Sequence, residues 1–269
     1  MKNIIFSDID GTIYQKPHNI IMPATVADIK TAQQSDVEFI LCTGNGYFDN
    51  ISVLAEQLDV RYIITSNGAA IFDRDHDGFI YTSMLPHALT DKLFQFGLKH
   101  EISCIFWDKE HVYINHHVPH SAVDIIKRVM TKQGNIKKTH EVKTDIFKIE
   151  FYDNPEKIDL ICDFAKDLNL QLARMTPNHV EITHKGVSKG HTIVELAKRL
   201  NIPLTKTMGI GDSSNDLSMF EVVNSAYAMD NATPEVKAVA KYYTSDVEQN
   251  GLGEAIIDYL HREKLDRNL

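Results

Sequence analysis

Ile4-Ile5-Phe6-Ser7-Asp8-Ile9-Asp10-Gly11-Thr12 is an apolar run that breaks into an acidic turn, and about two hundred residues later Met208-Gly209-Ile210-Gly211-Asp212-Ser213-Ser214-Asn215-Asp216 repeats the form. Each acidic cluster follows a short segment that reads as a buried strand. Two such strands adjacent in one sheet would bring the carboxylates together at one edge. Carboxylates that close repel strongly unless a cation lies among them. Hard oxygen ligands on small turn residues suit Mg²⁺, and Mg²⁺ suits phosphate chemistry, so the pattern predicts metal-dependent phosphoryl transfer.

Outward from these two stretches the chain alternates strand and helix. Ile4–Ser7, Val37–Cys42 and Tyr62–Thr65 read as strands, and Pro23–Gln34 and Phe48–Leu58 as helices, the second with Ile51, Leu54, Ala55 and Leu58 on one stripe. After about residue 186 the alternation resumes. Helices are expected at Lys189–Leu200, Leu217–Val223, Pro234–Ala240 and Leu252–Leu260, and strands at Thr207–Ile210, Ala226–Met229 and Tyr242–Thr244. This is the signature of an α/β domain with a parallel sheet and helices on its faces, assembled from residues 1–82 and 186–269. Residues 83–185 read differently. Helices near Pro86–His100, Pro119–Gln133 and Pro155–Leu168 are interspersed with strand candidates Ser103–Trp107, His111–Asn115, Asp145–Tyr152, Leu170–Arg174 and His179–Thr183. Runs of adjacent strands favour an antiparallel sheet with helices on one face, so the middle reads as an inserted domain.

In an open α/β sheet, ligands gather at the carboxyl ends of the strands. Asp8 with Asp10, Thr43, the Asn67-Gly68 turn and Asp212 all fall there. Asp8 and Asp10 are two apart on an extended segment and share a face. One carboxylate can attack phosphorus while a second protonates the leaving oxygen and then activates water. The same Asp-x-Asp-Gly also reads as a turn with solvated acids. Lys189 at a helix start opposes the helix dipole, a mismatch that an anionic partner would repair, although exposed lysines at helix ends are common. Thr43 offers a hydroxyl and Gly44 open backbone N–H groups for phosphate oxygens. Asp212 and Asp216 bracket Ser213-Ser214-Asn215; one of them could serve as a helix cap, but the pair exceeds what a cap needs.

Taken in order, Asp8-Ile9-Asp10-Gly11-Thr12, Thr43-Gly44, Lys189-Gly190 and Gly211-Asp212-Ser213-Ser214-Asn215-Asp216 resemble the four motifs of the haloacid dehalogenase superfamily of phosphatases, and more closely its Cof-type members of subclass IIB. Ser66-Asn67-Gly68-Ala69, Gly186-Val187-Ser188 and Ala228-Met229-Asp230-Asn231-Ala232 fit too. The resemblance covers essentially the whole chain and implies a Rossmann-like parallel-sheet core with an inserted α+β cap domain that closes over the site. It implies Asp8 as nucleophile and Asp10 as general acid/base. Mg²⁺ would be held by Asp8, the Asp10 carbonyl and Asp212, with Asp216 steadying its water shell. Thr43, Gly44, Lys189 and Asn215 would hold the phosphoryl group. The expected reaction is hydrolysis of small-molecule phosphate monoesters, such as sugar phosphates, through an aspartyl-phosphate. A phosphomutase or phosphotransferase, or a non-catalytic phosphometabolite-binding protein, are the alternatives. One departure stands out: many relatives carry Arg after Thr-Gly, and this chain has Asn45.

Composition bounds the remainder. A formal net charge of −9 and a pI near 5.8 disfavour a nucleic-acid partner. Three dispersed cysteines, Cys42, Cys104 and Cys162, fit no disulfide framework or structural zinc site. No stretch reads as a signal peptide or membrane span, so a cytoplasmic protein with no membrane partner is expected, a monomer or small homo-oligomer acting on a small phosphorylated metabolite. Asp73-Arg74-Asp75-His76-Asp77-Gly78 matches half a calcium loop, but Met84 stands where its final Glu belongs, and the flanking Ile71-Phe72 and Phe79-Ile80 predict a hairpin turn. His111, His116, His117 and His120 read as polar residues of the inserted domain, and Trp107 as a packed one.

Overall fold

The computed structural model describes residues 2–15, 20–129 and 135–266. The chain divides into two compact units. One comprises Met1–Gly44, Leu54–Ile80 and Ser188–Leu269; the other comprises Asn45–Val53 and Tyr81–Val187.

In the first unit the apolar run at the start is β1 (Asn3–Ser7), buried along its whole length. It lies between β2 (Val37–Cys42) and β12 (Thr207–Gly211), parallel to both, with Ser7 level with Leu41 and with Ile210. A strand buried on both faces can be apolar at every position, which is why Ile4-Ile5-Phe6 shows no alternation. β3 (Tyr62–Thr65) extends the parallel sheet beyond β2, and β13 (Ser225–Ala228) and β14 (Tyr242–Tyr243) extend it beyond β12. β4 (Ala70–Asp73) returns antiparallel to β3, and β5 (Gly78–Thr82) closes the order β14-β13-β12-β1-β2-β3-β4-β5. The expected hairpin is therefore present, with Asp73 tied to Arg61 at 2.9 Å and to His76 at 2.6 Å.

The flanking helices of this unit begin with α1 (Pro23–Gln34), which has Pro at its first turn, where the missing N–H costs nothing. α2 (Asp49–Gln57) follows β2 and is divided between the units, its residues up to Val53 counted with the second and those from Leu54 with the first. After the second unit come α6 (Lys189–Arg199), α7 (Leu217–Phe220), α8 (Pro234–Val239) and α9 (Gly251–Asp266), with α1 packed on α9 and α6 on α7. α9 runs one and a half turns past its expected end. There Glu263 is buried and accepts from Asn3 and Lys206 at 3.2 and 2.8 Å, so a polar stretch earns its place by pairing rather than by apolar spacing.

The second unit is a six-stranded sheet. β6 (Ser103–Trp107), β7 (Val112–Ile114), β8 (Ile136–Lys138), β9 (Lys148–Tyr152), β10 (Leu170–Thr176) and β11 (His179–His184) take the order β10-β11-β9-β6-β7-β8. Every pairing is antiparallel except β7 with β8. α3 (His87–Lys99) and α5 (Pro155–Ala165) bury Leu93, Phe94, Ile158 and Ile161 against Cys104, Phe106, Ile149, Phe151, Val180 and Ile182. Because strand side chains alternate, Ile105 and Trp107 point the other way. They gather with Val112, Ile114, Phe48 and Ile126 of α4 (His120–Val129), so one helix lies on the face opposite α3 and α5, where all helices were expected on one. Trp107 is packed as expected, 5.7 Å from Phe48 between ring centroids. The part of the helix predicted over residues 130–133 falls outside the described residues.

No helix among the described residues is long and apolar enough to cross a membrane.

Candidate active site

The register of the central strands does what the two acidic stretches require. Asp8 follows Ser7 out of β1, its N–H donates to the Ile210 carbonyl at 3.0 Å, and Asp212 follows directly from β12. Carboxylate oxygens of Asp8, Asp212 and Asp216 all lie within 4.8 Å of one another. Lys189, the first residue of α6, is 1% exposed, and its Nζ donates to Asp8 Oδ1 at 2.7 Å and to Asp216 Oδ1 at 2.6 Å. The anionic partners that its helix position calls for are thus two aspartates. Burial works to lower the Lys189 pKa, but Asp216 and Asp8 outweigh it and hold the ammonium charged well beyond the usual lysine range.

The carboxylates do not come out even. Burial, opposed by Lys189 and reinforced by Asp216 and Asp212, pushes Asp8 up to about 8. Burial and then Asp216 push Asp212 up to about 7. Asp216 spends its second oxygen inside its own loop, where Oδ2 accepts the N–H groups of Asp212 and Ser213 at 3.0 and 3.1 Å and closes a capping box with Ser213. It is both a cap and a partner of Lys189. Asp212 Oδ1 is buried and has no hydrogen-bond partner among the described residues. The three carboxylates, one of them with an orphaned oxygen, form an oxygen donor set for a hard cation, and a divalent ion of the Mg²⁺ kind fits it.

Asp10 is half-buried just beyond Asp8, and its backbone bridges to Tyr14. Gly11 makes this turn possible. Its φ is +87°, and a Cβ there would stand 2.2 Å from Asp212 Oδ2. Thr43 is buried at the end of β2, next to Gly44. Asn215 lies on the same loop as Asp212 and Asp216, and its Nδ2 donates to Asn67 Oδ1 at 3.0 Å. Asp8, Asp10, Thr43, Gly44, Lys189, Asp212, Asn215 and Asp216 therefore all sit in the first unit around the ends of β1, β2 and β12.

Two neighbours carried no chemical signal of their own in the sequence. Asn231 Nδ2 donates to the Gly11 carbonyl at 2.8 Å and approaches Asp212 Oδ2 at 3.4 Å, tying the two acidic stretches together. Asn67 follows β3 in a left-handed conformation, as does Ser66 before it (φ 57° and 52°), a backbone cost of about 1–3 kcal/mol each that marks constrained sites. Asn67 was placed in advance only as part of the Asn67-Gly68 turn at the carboxyl end of a strand, and Asn231 only by the stretch Asp230-Asn231 that fits the family pattern.

A second group that resembles a metal site lies wholly in the other unit. Glu150 and Glu181 are opposed across β9 and β11, with His179 beside them. Here Lys148 Nζ reaches Glu150 at 2.6 Å and Glu181 at 3.2 Å, and Tyr152 donates to Glu150 at 2.6 Å. Although burial raises the Glu150 pKa, Lys148 more than offsets it and the net shift is downward.

The family model of haloacid dehalogenase-like hydrolases matches residues 5–256, nearly the whole chain. The chain is a haloacid dehalogenase-like hydrolase. The expectation of a phosphatase of this superfamily therefore holds, and the hydrolase has relatives of similar length. YxeH of Bacillus subtilis (strain 168) is 29% identical over 269 residues, covering 95% of this chain and 97% of that one. The 5-amino-6-(5-phospho-D-ribitylamino)uracil phosphatase YwtE of the same strain is 27% identical over 280 residues, covering 91% and 93%. Among solved structures, the subclass IIB sugar phosphatase BT4131 superposes with a TM-score of 0.84 at 23% identity, over 96% of this hydrolase and 99% of that chain, a likeness of fold.

Proposed function

We propose that this hydrolase cleaves small phosphate monoesters, sugar phosphates or chemically similar metabolites, by way of a phosphorylated Asp8. The observation that carries the reading is Asp8 itself: buried, held by Lys189 at 2.7 Å, and grouped with Asp212 and Asp216.

In the first step an Asp8 carboxylate oxygen attacks phosphorus and the bond from phosphorus to the ester oxygen breaks. The Asp10 carboxyl gives its proton to the departing alcohol oxygen. In the second, Asp10, now a carboxylate, takes a proton from water as that water's oxygen attacks phosphorus. The Asp8–phosphorus bond breaks and inorganic phosphate leaves. Lys189 holds Asp8 in place and offsets repulsion between its carboxylate and the phosphate dianion. Thr43, the Gly44 N–H and Asn215 hold the phosphoryl oxygens, because phosphoryl transfer needs positioning and charge neutralisation above all. Asp8, Asp212 and the Asp10 carbonyl would hold Mg²⁺, which would add positive charge against the phosphoryl oxygens. The name of YwtE, a phosphatase of a phosphoribityl compound, and that of BT4131, a sugar phosphatase, support polyol and sugar phosphates as the first substrates to try.

The test is phosphate release from a panel of sugar, polyol and nucleotide monophosphates, with and without Mg²⁺, in the wild type and in Asp8→Asn. Turnover that depends on the metal and is abolished in the variant is expected. Turnover that survives Asp8→Asn would remove Asp8 from the role of nucleophile.

A further inference from the structure

The turn after β3 is pinned on two sides. The Asn67 N–H donates to the Thr43 carbonyl at 3.1 Å, and Thr192, one turn along α6 from Lys189, donates its hydroxyl to the Gly68 carbonyl at 2.6 Å. The pinned turn presents Asn67 Oδ1 to Asn215 Nδ2 at 3.0 Å, while Ser213 Oγ donates to Asn215 Oδ1 at 2.9 Å. The two amides lie against Gly44, where a Cβ would stand 2.8 Å from Asn67 Oδ1 and 3.2 Å from Asn215 Nδ2. Two loops that the proposed function assigns to the phosphoryl group, those of Gly44 and Asn215, thus meet the turn after β3 at one amide pair.

The chemistry of a primary amide makes this pairing matter. An asparagine side chain can be turned end for end at little steric cost, exchanging two donors for an acceptor. A carbonyl oxygen facing a phosphate dianion repels it; an N–H attracts it. The serine hydroxyl at Asn215 Oδ1 can donate or accept, so it tolerates either orientation. Asn67 Oδ1 only accepts, so Asn215 cannot flip alone without setting two carbonyl oxygens face to face.

We infer that Asn67 is a positioning residue for phosphoryl binding: by occupying one N–H of Asn215 it fixes that amide so that its remaining N–H is offered to a phosphoryl oxygen. This rests on the proposed phosphatase function, which assigns Asn215 to the phosphoryl group.

The test is a double-mutant cycle between Asn67→Gly and Asn215→Ala. Glycine keeps the left-handed backbone at position 67 and removes only the amide. Two readouts are taken in Mg²⁺: kcat and KM for p-nitrophenyl phosphate, and the dissociation constant of inorganic phosphate by calorimetry. Asn67→Gly is expected to lower kcat/KM and weaken phosphate binding by about tenfold, the worth of one hydrogen bond, with the thermal midpoint held. In the Asn215→Ala background the same change is expected to do nothing further, because the group it orients is gone. Losses that simply add, or an Asn67→Gly protein that binds phosphate as the wild type does, would overturn the inference. A wild type with no turnover but intact phosphate binding would sink the phosphatase reading alone, and the calorimetric cycle would still decide the role of Asn67. A wild type that binds no phosphate would sink both.

Discussion

Lys189 in the first unit and Lys148 in the second are both buried, at 1% and 5% exposure, and each bridges two carboxylates at hydrogen-bond distance. Around Lys189 there are three aspartates, and burial leaves Asp8 and Asp212 with pKa values raised to about 8 and 7. Around Lys148 there are two glutamates, and the ammonium wins: Glu150 is held below the usual carboxylate range and Lys148 above the usual lysine range, because Glu150 and Glu181 outweigh its burial. Both groups are thus short of positive charge, by two at Lys189 and by one at Lys148. The larger deficit goes with carboxylates pushed up in pKa, the pattern expected of a functional site more than of a structural ion cluster.

Removing each lysine in turn should separate the two roles most sharply. Lys189→Met is expected to cut phosphate release by about a thousandfold, the scale for losing a charge aimed at the transferring group. Lys148→Met should leave turnover of the folded protein within about tenfold of wild type. Comparable kinetic losses from both would erase the distinction.

At Lys148 the loss should fall on stability instead. Lys148→Met strands two buried carboxylates that face each other across paired strands, and a destabilisation of about 3–5 kcal/mol is expected in denaturant titration. Replacing the whole trio at once (Lys148→Met, Glu150→Leu, Glu181→Leu) should recover most of that loss, since an apolar replacement of a buried ion cluster is often neutral.

The pH dependence should distinguish them more gently. Asp8 and Asp212 have folded pKa values above their ordinary 3.8, so without metal their contribution to stability is complete below about pH 4 and is lost as pH rises through 7 and 8. Metal-free protein should therefore weaken between pH 6 and 9 by about 4 kcal/mol, and Mg²⁺ should restore more at pH 9 than at pH 6, where protons compete for the same oxygens. Glu150 has the opposite sign. Its contribution is present above its ordinary 4.5 and is lost as pH falls through its lowered folded value. Midpoints for the two units, followed by amide exchange with and without Mg²⁺, should slope in opposite directions; parallel slopes would contradict the contrast.

The first group was legible in the sequence because its acids directly follow apolar strands and have glycine beside them, Gly11 after the first pair and Gly211 before Asp212. The second was not. Lys148-Ile149-Glu150-Phe151-Tyr152 alternates as a strand with one solvated face would, and Glu181, which completes the buried group, comes from β11 some thirty residues away. β8 escaped notice for a related reason: Ile136-Lys137-Lys138 is an edge strand with exposed lysines and carries no buried pattern. Helix α4 was anticipated, but a sequence of apolar positions says which side of the helix is buried, not which side of the sheet receives it. Asn67 and Asn231 act through other residues' orientations, which spacing alone does not encode.

The parallel pairing of β1 with β12 also sets a timetable for synthesis. Asp212 is made about two hundred residues after Asp8, an interval of roughly 10–40 s at ribosomal speeds of about 5–20 residues per second. Until then the nascent chain carries Ile4-Ile5-Phe6 with one strand edge open. The group of carboxylates at the ends of these strands therefore assembles only once β12 has been made and has closed onto β1.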